Sequence, residues 1–471
     1  MNIHTSLLQK IQQIVFFIGI LVVICLSIVM NLRLGYLNHF ESDKFIAFYL
    51  GNTPFWEKIF DYRQTDFMWF WRGRDIGNIV NYFDAHIILL SARLGFPHFL
   101  SGVYYLVLVS IVSAQLWVAK KFGDTRFYFV SFLLSLVFLT SPPIFLSAIY
   151  FRATKPVATL LFVLVSTLLT IAAYTPNPSR RKLITWVISA AILSLCMGLI
   201  DETGIALSFF LMSIALIGFF MSKRNSFALI CIGILFGPMG AGLYRTVIGP
   251  YIIGHIVGIT PTAWELAMFD NFTPTTITTT FAELSLYLRS FLGNVPSVAT
   301  PFLYVILFVL CLVVFRRSPA SHGKSMFWPT GWATVTYMSY MGCIFLMLLI
   351  MVARNDGVVD MGWLLIYPLL FITAVYVFIH TLLLQISLSK QLTYICTIVT
   401  LSALTVGNML SLNTYITDLT DPKSVVTASY FYRTPSAIFA IKHPEIPFAE
   451  INVEIPYAAH AIRTILYPNA E

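Results

Sequence analysis

Between Asn31 and His98 the chain collects Glu41, Asp43, Glu57, Asp61, Asp66, Asp75 and Asp84, together with Trp69, Trp71, Arg72 and Arg74. Charged residues make up only 11% of the protein, so this stretch is its densest set of ionisable and aromatic groups. No carboxylate of this kind enters lipid without heavy cost, and a polar loop that directly follows a first apolar run is where chemistry is expected. Two smaller sets stand beside it. Arg152 and Lys155, in SPPIFLSAIYFRATKP, suit a lipid headgroup, phosphate or pyrophosphate, or else anchor a helix end at the interface. Asp201 and Glu202, in LIDETG, are either solvated turn residues or ligands of a divalent cation.

The elements that must position these groups are membrane helices. Hydrophobic residues make up 58% of the chain and its mean hydropathy is +0.82, which a soluble core cannot use and a bundle of spanning helices requires. A spanning helix needs about 20 apolar residues. By that measure the sequence predicts an all-α polytopic protein of about eleven spans, near 11–30, 100–119, 127–147, 157–174, 183–200, 205–221, 227–248, 301–315, 332–352, 361–383 and 391–409. Residues 1–409 form the transmembrane module, with 31–98 as a first outer loop and 249–300 as a second. Residues 410–471 form an outer tail, too apolar to float free and expected to fold back over the mouth of the bundle.

Charge sets the orientation. With the N-terminus inside, Lys120, Lys121 and Arg126, then Arg180, Arg181 and Lys182, then Lys223 and Arg224, then Arg316, Arg317 and Lys324 all face the cytoplasm, with Asp124 as the one acid among them. That asymmetry accounts for the pI of about 9.1 without a nucleic-acid partner. The N-terminal run is read as a retained helix, since no small-x-small cleavage pattern follows it. All six cysteines fall inside expected spans and read as small core residues. In the second outer loop, FAELSLYLRSFLG has the pattern of a helix lying in the interface.

No internal repeat, Walker motif, dinucleotide glycine motif, CxxC or HExxH spacing is present, so nucleotide hydrolysis and cytosolic cofactors have no support. A transferase with its acidic loops outside has no access to cytosolic nucleotide sugars. Its donor must already be carried by lipid, as polyprenyl-phosphate sugars are.

This layout resembles the GT-C superfamily of membrane glycosyltransferases: a first span, a long outer loop opening with an acid in NHFESDKFIAFYL, short connections, and a second long outer loop after the seventh span. The resemblance covers about residues 1–315 and is topological more than motif-based. It implies inverting transfer of a sugar from a polyprenyl-phosphate donor to a lipid-linked glycan or other envelope acceptor. It places the protein in a bacterial inner membrane among lipids, with the site facing the periplasm. It also implies a general base early in the first loop, here Asp43 with Glu41 in reserve, and cations on the leaving phosphate, here Arg74 and Arg72 with Arg152, Lys155 and Arg245. The alternative for either acid is a solvated loop residue or a helix N-cap. The oligosaccharyltransferase WWDYG signature is absent, which leaves the acceptor open. A polysaccharide polymerase or ligase of the O-antigen type is the enzymatic rival, and a lipid or glycan transporter the non-enzymatic one. Polymerases and ligases of that type concentrate functional arginines in later outer loops, whereas here the first loop dominates, and transporters often show two related halves, of which this sequence has no sign.

Overall fold

A computed structural model describes residues 37–60, 73–141, 154–175, 177–200, 202–256, 391–420, 431–433, 435–451 and 457–468, with isolated positions within 14–25, at 144 and within 373–384. In chain order these form β1 (Leu37–His39), α1 (Phe40–Leu50), α2 (Phe55–Phe60), α3 (Asp75–Arg93), α4 (Gly102–Phe122), α5 (Thr125–Leu139), α6 (Thr154–Tyr174), α7 (Arg180–Ile200), α8 (Glu202–Ser222), α9 (Asn225–Leu243), α10 (Gly249–Ile256), α11 (Gln391–Thr420), β2 (Phe431–Arg433), α12 (Pro435–Lys442) and α13 (Tyr457–Leu466). A π-helical turn, Tyr244–Ile248, joins α9 to α10, and a 3-10 turn, Phe448–Glu450, precedes α13.

The described chain is helical apart from the two three-residue strands, and five helices are long and apolar enough to cross a membrane. They are Gly102–Phe122, Thr154–Tyr174, Arg180–Ile200, Asn225–Ile252 and Gln391–Leu410. At about 1.5 Å per residue, a helix of 21 residues such as α4, α6 or α7 covers about 30 Å, the thickness of a hydrocarbon core. The apolar helices Thr125–Leu139 and Leu207–Phe220 are shorter than this. The runs expected at 11–30, 301–315, 332–352 and most of 361–383 lie outside the described residues, as does FAELSLYLRSFLG.

The chain divides into two compact units. The first comprises Met1–Gly51, Asp84–Phe151 and Ser387–Glu471, and the second Asn52–Phe83 and Arg152–Ile386.

In the first unit, the entry to α4 is fixed by side-chain capping. Ser101 Oγ accepts the Tyr104 N–H and donates to Asp84 Oδ2, while Asp84 Oδ1 accepts the Val103 N–H at 3.0 Å. The Asp124 carboxylate accepts the Phe127 N–H at 2.7 Å, so the basic turn expected between two spans is also the N-cap of α5. Lys120 and Lys121 lie in the last turn of α4, where the helix dipole favours cations. α11 packs on α5, with Asn408 Nδ2 donating to the Val137 carbonyl at 3.0 Å and the Arg126 guanidinium over the Tyr394 ring. α11 continues to Thr420, beyond the residue 410 at which the tail was expected to begin. SLNTYITDLT is polar enough to end a span but holds no Pro or Gly to end a helix.

Asp84 is fully buried, and loss of hydration pushes its carboxyl up from 3.8 to about 6 against the opposing pull of its hydrogen bonds. The folded chain therefore holds this proton more tightly than the unfolded chain does. Stability from this group is full below pH 3.8 and is lost as the pH rises through about 6. The difference corresponds to about 3 kcal/mol. Stability to thermal unfolding in detergent is expected to fall between about pH 4 and 7 in the wild type by up to this amount, and Asp84→Asn is expected to remove that slope. An equal slope in both proteins would assign the effect elsewhere.

In the second unit, α9 packs closely on α7 because glycines remove the side chains between them. A methyl group on Gly237 would fall 2.6–2.7 Å from the Ser194 backbone and Cβ, and one on Gly233 2.6 Å from the Val187 carbonyl. At one end of this bundle Arg224 Nη1 donates to the Ala173 carbonyl at 2.7 Å, closing the C-terminus of α6 beside the basic turns that begin α7 and α9. The other end carries the N-terminus of α6 and the C-termini of α7 and α9.

Candidate functional site

The first outer loop holds three helices, α1, α2 and α3. In the second unit, α3 begins with Gly73, Arg74 and Asp75. Gly73 has φ +64°, and a side chain there would lie 2.6 Å from Arg245 Cγ. Glycine thus allows the left-handed turn and lets the stem of Arg245 lie against the backbone. One turn later Gly77 is buried, and a methyl on it would meet the Ile200 carbonyl at 2.5 Å and Thr154 Cγ2 at 2.8 Å. The start of α3 therefore seats on the ends of α6 and α7, at the bundle end opposite Arg224.

Three helical segments bring charge to this place, and a fourth, α7, brings open carbonyls. Asp75 is buried and accepts a hydrogen bond from the Tyr244 hydroxyl, which comes from the π-helical turn after α9. Turns of this kind recur at functional sites because the inserted residue re-aims its neighbours. The next residue, Arg245, donates from Nη2 to the Gly198 carbonyl at 2.7 Å, occupying one of the open C-terminal carbonyls of α7. Lys155 follows Thr154 in the first turn of α6 and is 5% exposed. Arg74, Lys155 and Arg245 thus belong to one helix-end cluster with Asp75 and Tyr244. An assembly with several cations, a carboxylate and a phenol at the end of apolar helices is suited to holding a phosphate-bearing group.

Of the other residues singled out in the sequence, Arg72, Arg152 and Asp201 lie outside the described residues, and so do the side chains of Glu41 in α1 and Glu202 at the start of α8. Asp43 belongs to the first unit. It is 3% exposed, and its Oδ2 and Oδ1 accept the Tyr457 and Ala458 N–H groups, each at 2.9 Å. It therefore caps α13, a helix from the far end of the sequence, while β1 pairs antiparallel with β2 through Leu37 and Arg433, Asn38 and Tyr432, and His39 and Phe431. The tail, expected to fold back, is joined to the opening of the first loop by both contacts.

Sequence reasoning passed over the Asp75–Tyr244 pair. Its signal was present: Asp75 adjoins Arg74, Tyr244 adjoins Arg245, and Asp75, Asn78, Asn81 and Asp84 recur every third residue along the first half of the helix. Among the described residues no group of three or more His, Cys, Asp or Glu side chains is arranged to hold a metal ion. Compared with protein-family models, curated proteins and solved structures, the chain matches none.

Proposed function

We propose that this protein is an integral-membrane glycosyltransferase of GT-C type, moving a sugar from a polyprenyl-phosphate donor to a lipid-linked glycan or other envelope acceptor at the outer face of a bacterial inner membrane. The observation that carries the reading is that Arg74, Lys155 and Arg245 stand on helix ends that meet where Tyr244 holds Asp75, at the bundle end opposite Arg224 and the basic turns. A leaving lipid phosphate develops negative charge, and fixed cations at helix ends stabilise it most where water is scarce. Arg72 and Arg152 join the phosphate set by position. Asp43 is the assigned base, with Glu41 in reserve; Asp201 and Glu202 are assigned to substrate or a divalent cation.

In the reaction so assigned, the acceptor hydroxyl gives its proton to the carboxylate as its oxygen bonds to the anomeric carbon from the face opposite the phosphate. The bond from that carbon to the phosphate oxygen breaks, and the polyprenyl phosphate leaves with the electron pair. The test is retention of polyprenyl phosphate by the purified protein in native mass spectrometry, against polyprenol of the same length. Preferential retention of the phosphate is expected. Equal retention of the two lipids would remove the phosphate site and the reading with it.

A further inference from the structure

The tail holds a second cationic centre that the proposed reaction does not use. Arg463, in α13, is 1% exposed and is among the largest fully buried side chains described. Its Nη2 donates to the carbonyls of Pro444 and Ile446, each at 2.8 Å, and its guanidinium carbon lies 4.2 Å from the centre of the Phe448 ring. Two carbonyls and a ring face thus hold the guanidinium plane in one orientation. Among the described residues its Nε and Nη1 have no hydrogen-bond partner, and neither atom reaches solvent.

A guanidinium keeps its charge when buried, and leaving its donors unmet is costly. The adjoining loop has an acid within electrostatic reach, Glu445, yet its carboxylate is engaged by His443 Nδ1 at 2.9 Å, its side chain is 64% exposed, and it makes no hydrogen bond to the guanidinium. A neutral water would meet a donor and leave the buried charge with only the exposed Glu445 as counter-ion. A buried, pre-oriented cation with free donors is instead the arrangement that recognises a planar or tetrahedral oxyanion. His443, 44% exposed, and His460, which packs on the same Phe448 ring, add groups that carry no negative charge.

We propose that Arg463 is the centre of an oxyanion site in the C-terminal tail, taking a carboxylate or a phosphate group. The site shares no residue with the Arg74 cluster and stands whether or not the protein is a glycosyltransferase.

The experiment measures the melting temperature of the full-length protein in an Arg74→Gln/Arg245→Gln background, so that the other cluster contributes little. Inorganic phosphate and acetate are each compared with chloride at matched ionic strength, and phosphatidic acid in nanodiscs is compared with phosphatidylcholine. A rise of about 3 °C or more with at least one oxyanion is expected, and loss of that rise in Arg463→Lys, which keeps the charge without the planar fork. A response to acetate alone identifies a carboxylate, to inorganic phosphate a free phosphate, and to phosphatidic acid alone a lipid headgroup. Equal melting temperatures under all conditions would overturn the proposal, as would a rise that persists in Arg463→Lys. Should Arg463→Lys fail to fold, the anion comparison in the Arg74→Gln/Arg245→Gln protein decides by itself.

Discussion

Asp43→Asn is expected to leave the polyprenyl-phosphate donor bound while turnover falls by about 10²-fold or more. The substitution keeps the size of the side chain and removes its capacity to take a proton. Asp43 also caps α13, so the same variant has a second consequence that separates the two roles. Each carboxylate oxygen accepts one backbone N–H, and a carboxylate in this role takes up the proton of the acceptor alcohol, which an amide oxygen does not. Asparagine keeps one accepting oxygen. As a cap it is nearly as good as aspartate, and losing the second bond costs about 1 kcal/mol. If capping were its only role, Asp43→Asn would lower the melting temperature slightly and leave turnover within a few-fold of wild type. Asp43→Ala would then be much worse for stability than Asp43→Asn. Glu41→Gln is expected to cost little. Reversal of the two phenotypes would move the base to Glu41.

The second large effect is on donor binding. Arg74→Gln and Arg245→Gln are each expected to weaken retention of polyprenyl phosphate by about ten-fold or more, because each removes a hydrogen bond to a charged group worth about 1.5–3 kcal/mol. Lys155→Gln is expected to act in the same direction. Arg245 also holds the Gly198 carbonyl, so its variant is compared with Arg245→Lys, which keeps the positive charge and changes the geometry. The three sites stand on helix ends that meet at one place, and the Arg74→Gln/Arg245→Gln double variant is expected to lose less than the product of the single losses. Unchanged retention in all three would make these cations interface anchors.

The parts legible in the sequence are those set by local pattern. Length and apolarity marked α4, α6, α7, α9 and α11; Lys155 and Arg245 stood out at the ends of apolar runs, and Arg74 only through the resemblance. What the sequence hid depends on partners far along the chain. Asp43 meets α13 across 414 positions, and Tyr244 meets Asp75 across 169. No hydrophobic period records such a pairing. The bounds of α1, α2 and α3 were not legible within the first loop, because short or polar helices owe their stability to tertiary contacts rather than to propensity. Gly73 and Gly77 carried no motif either. Their reason is steric, and it is visible only once Arg245, Thr154 and Ile200 stand against them. The end of α11 was misplaced for the opposite cause, since loss of apolarity ends a span without ending a helix.

The central claim is that the protein transfers a sugar from a lipid phosphate. The most direct measurement incubates the purified protein in proteoliposomes with a panel of polyprenyl-phosphate hexoses and a detergent extract of envelope glycolipids, and follows release of free polyprenyl phosphate. Release from at least one donor, dependent on the extract and abolished in Arg74→Gln/Arg245→Gln, is the expected result. A wild-type protein that binds these lipids yet releases no polyprenyl phosphate from any of them, at a rate above that of protein-free liposomes, would contradict it.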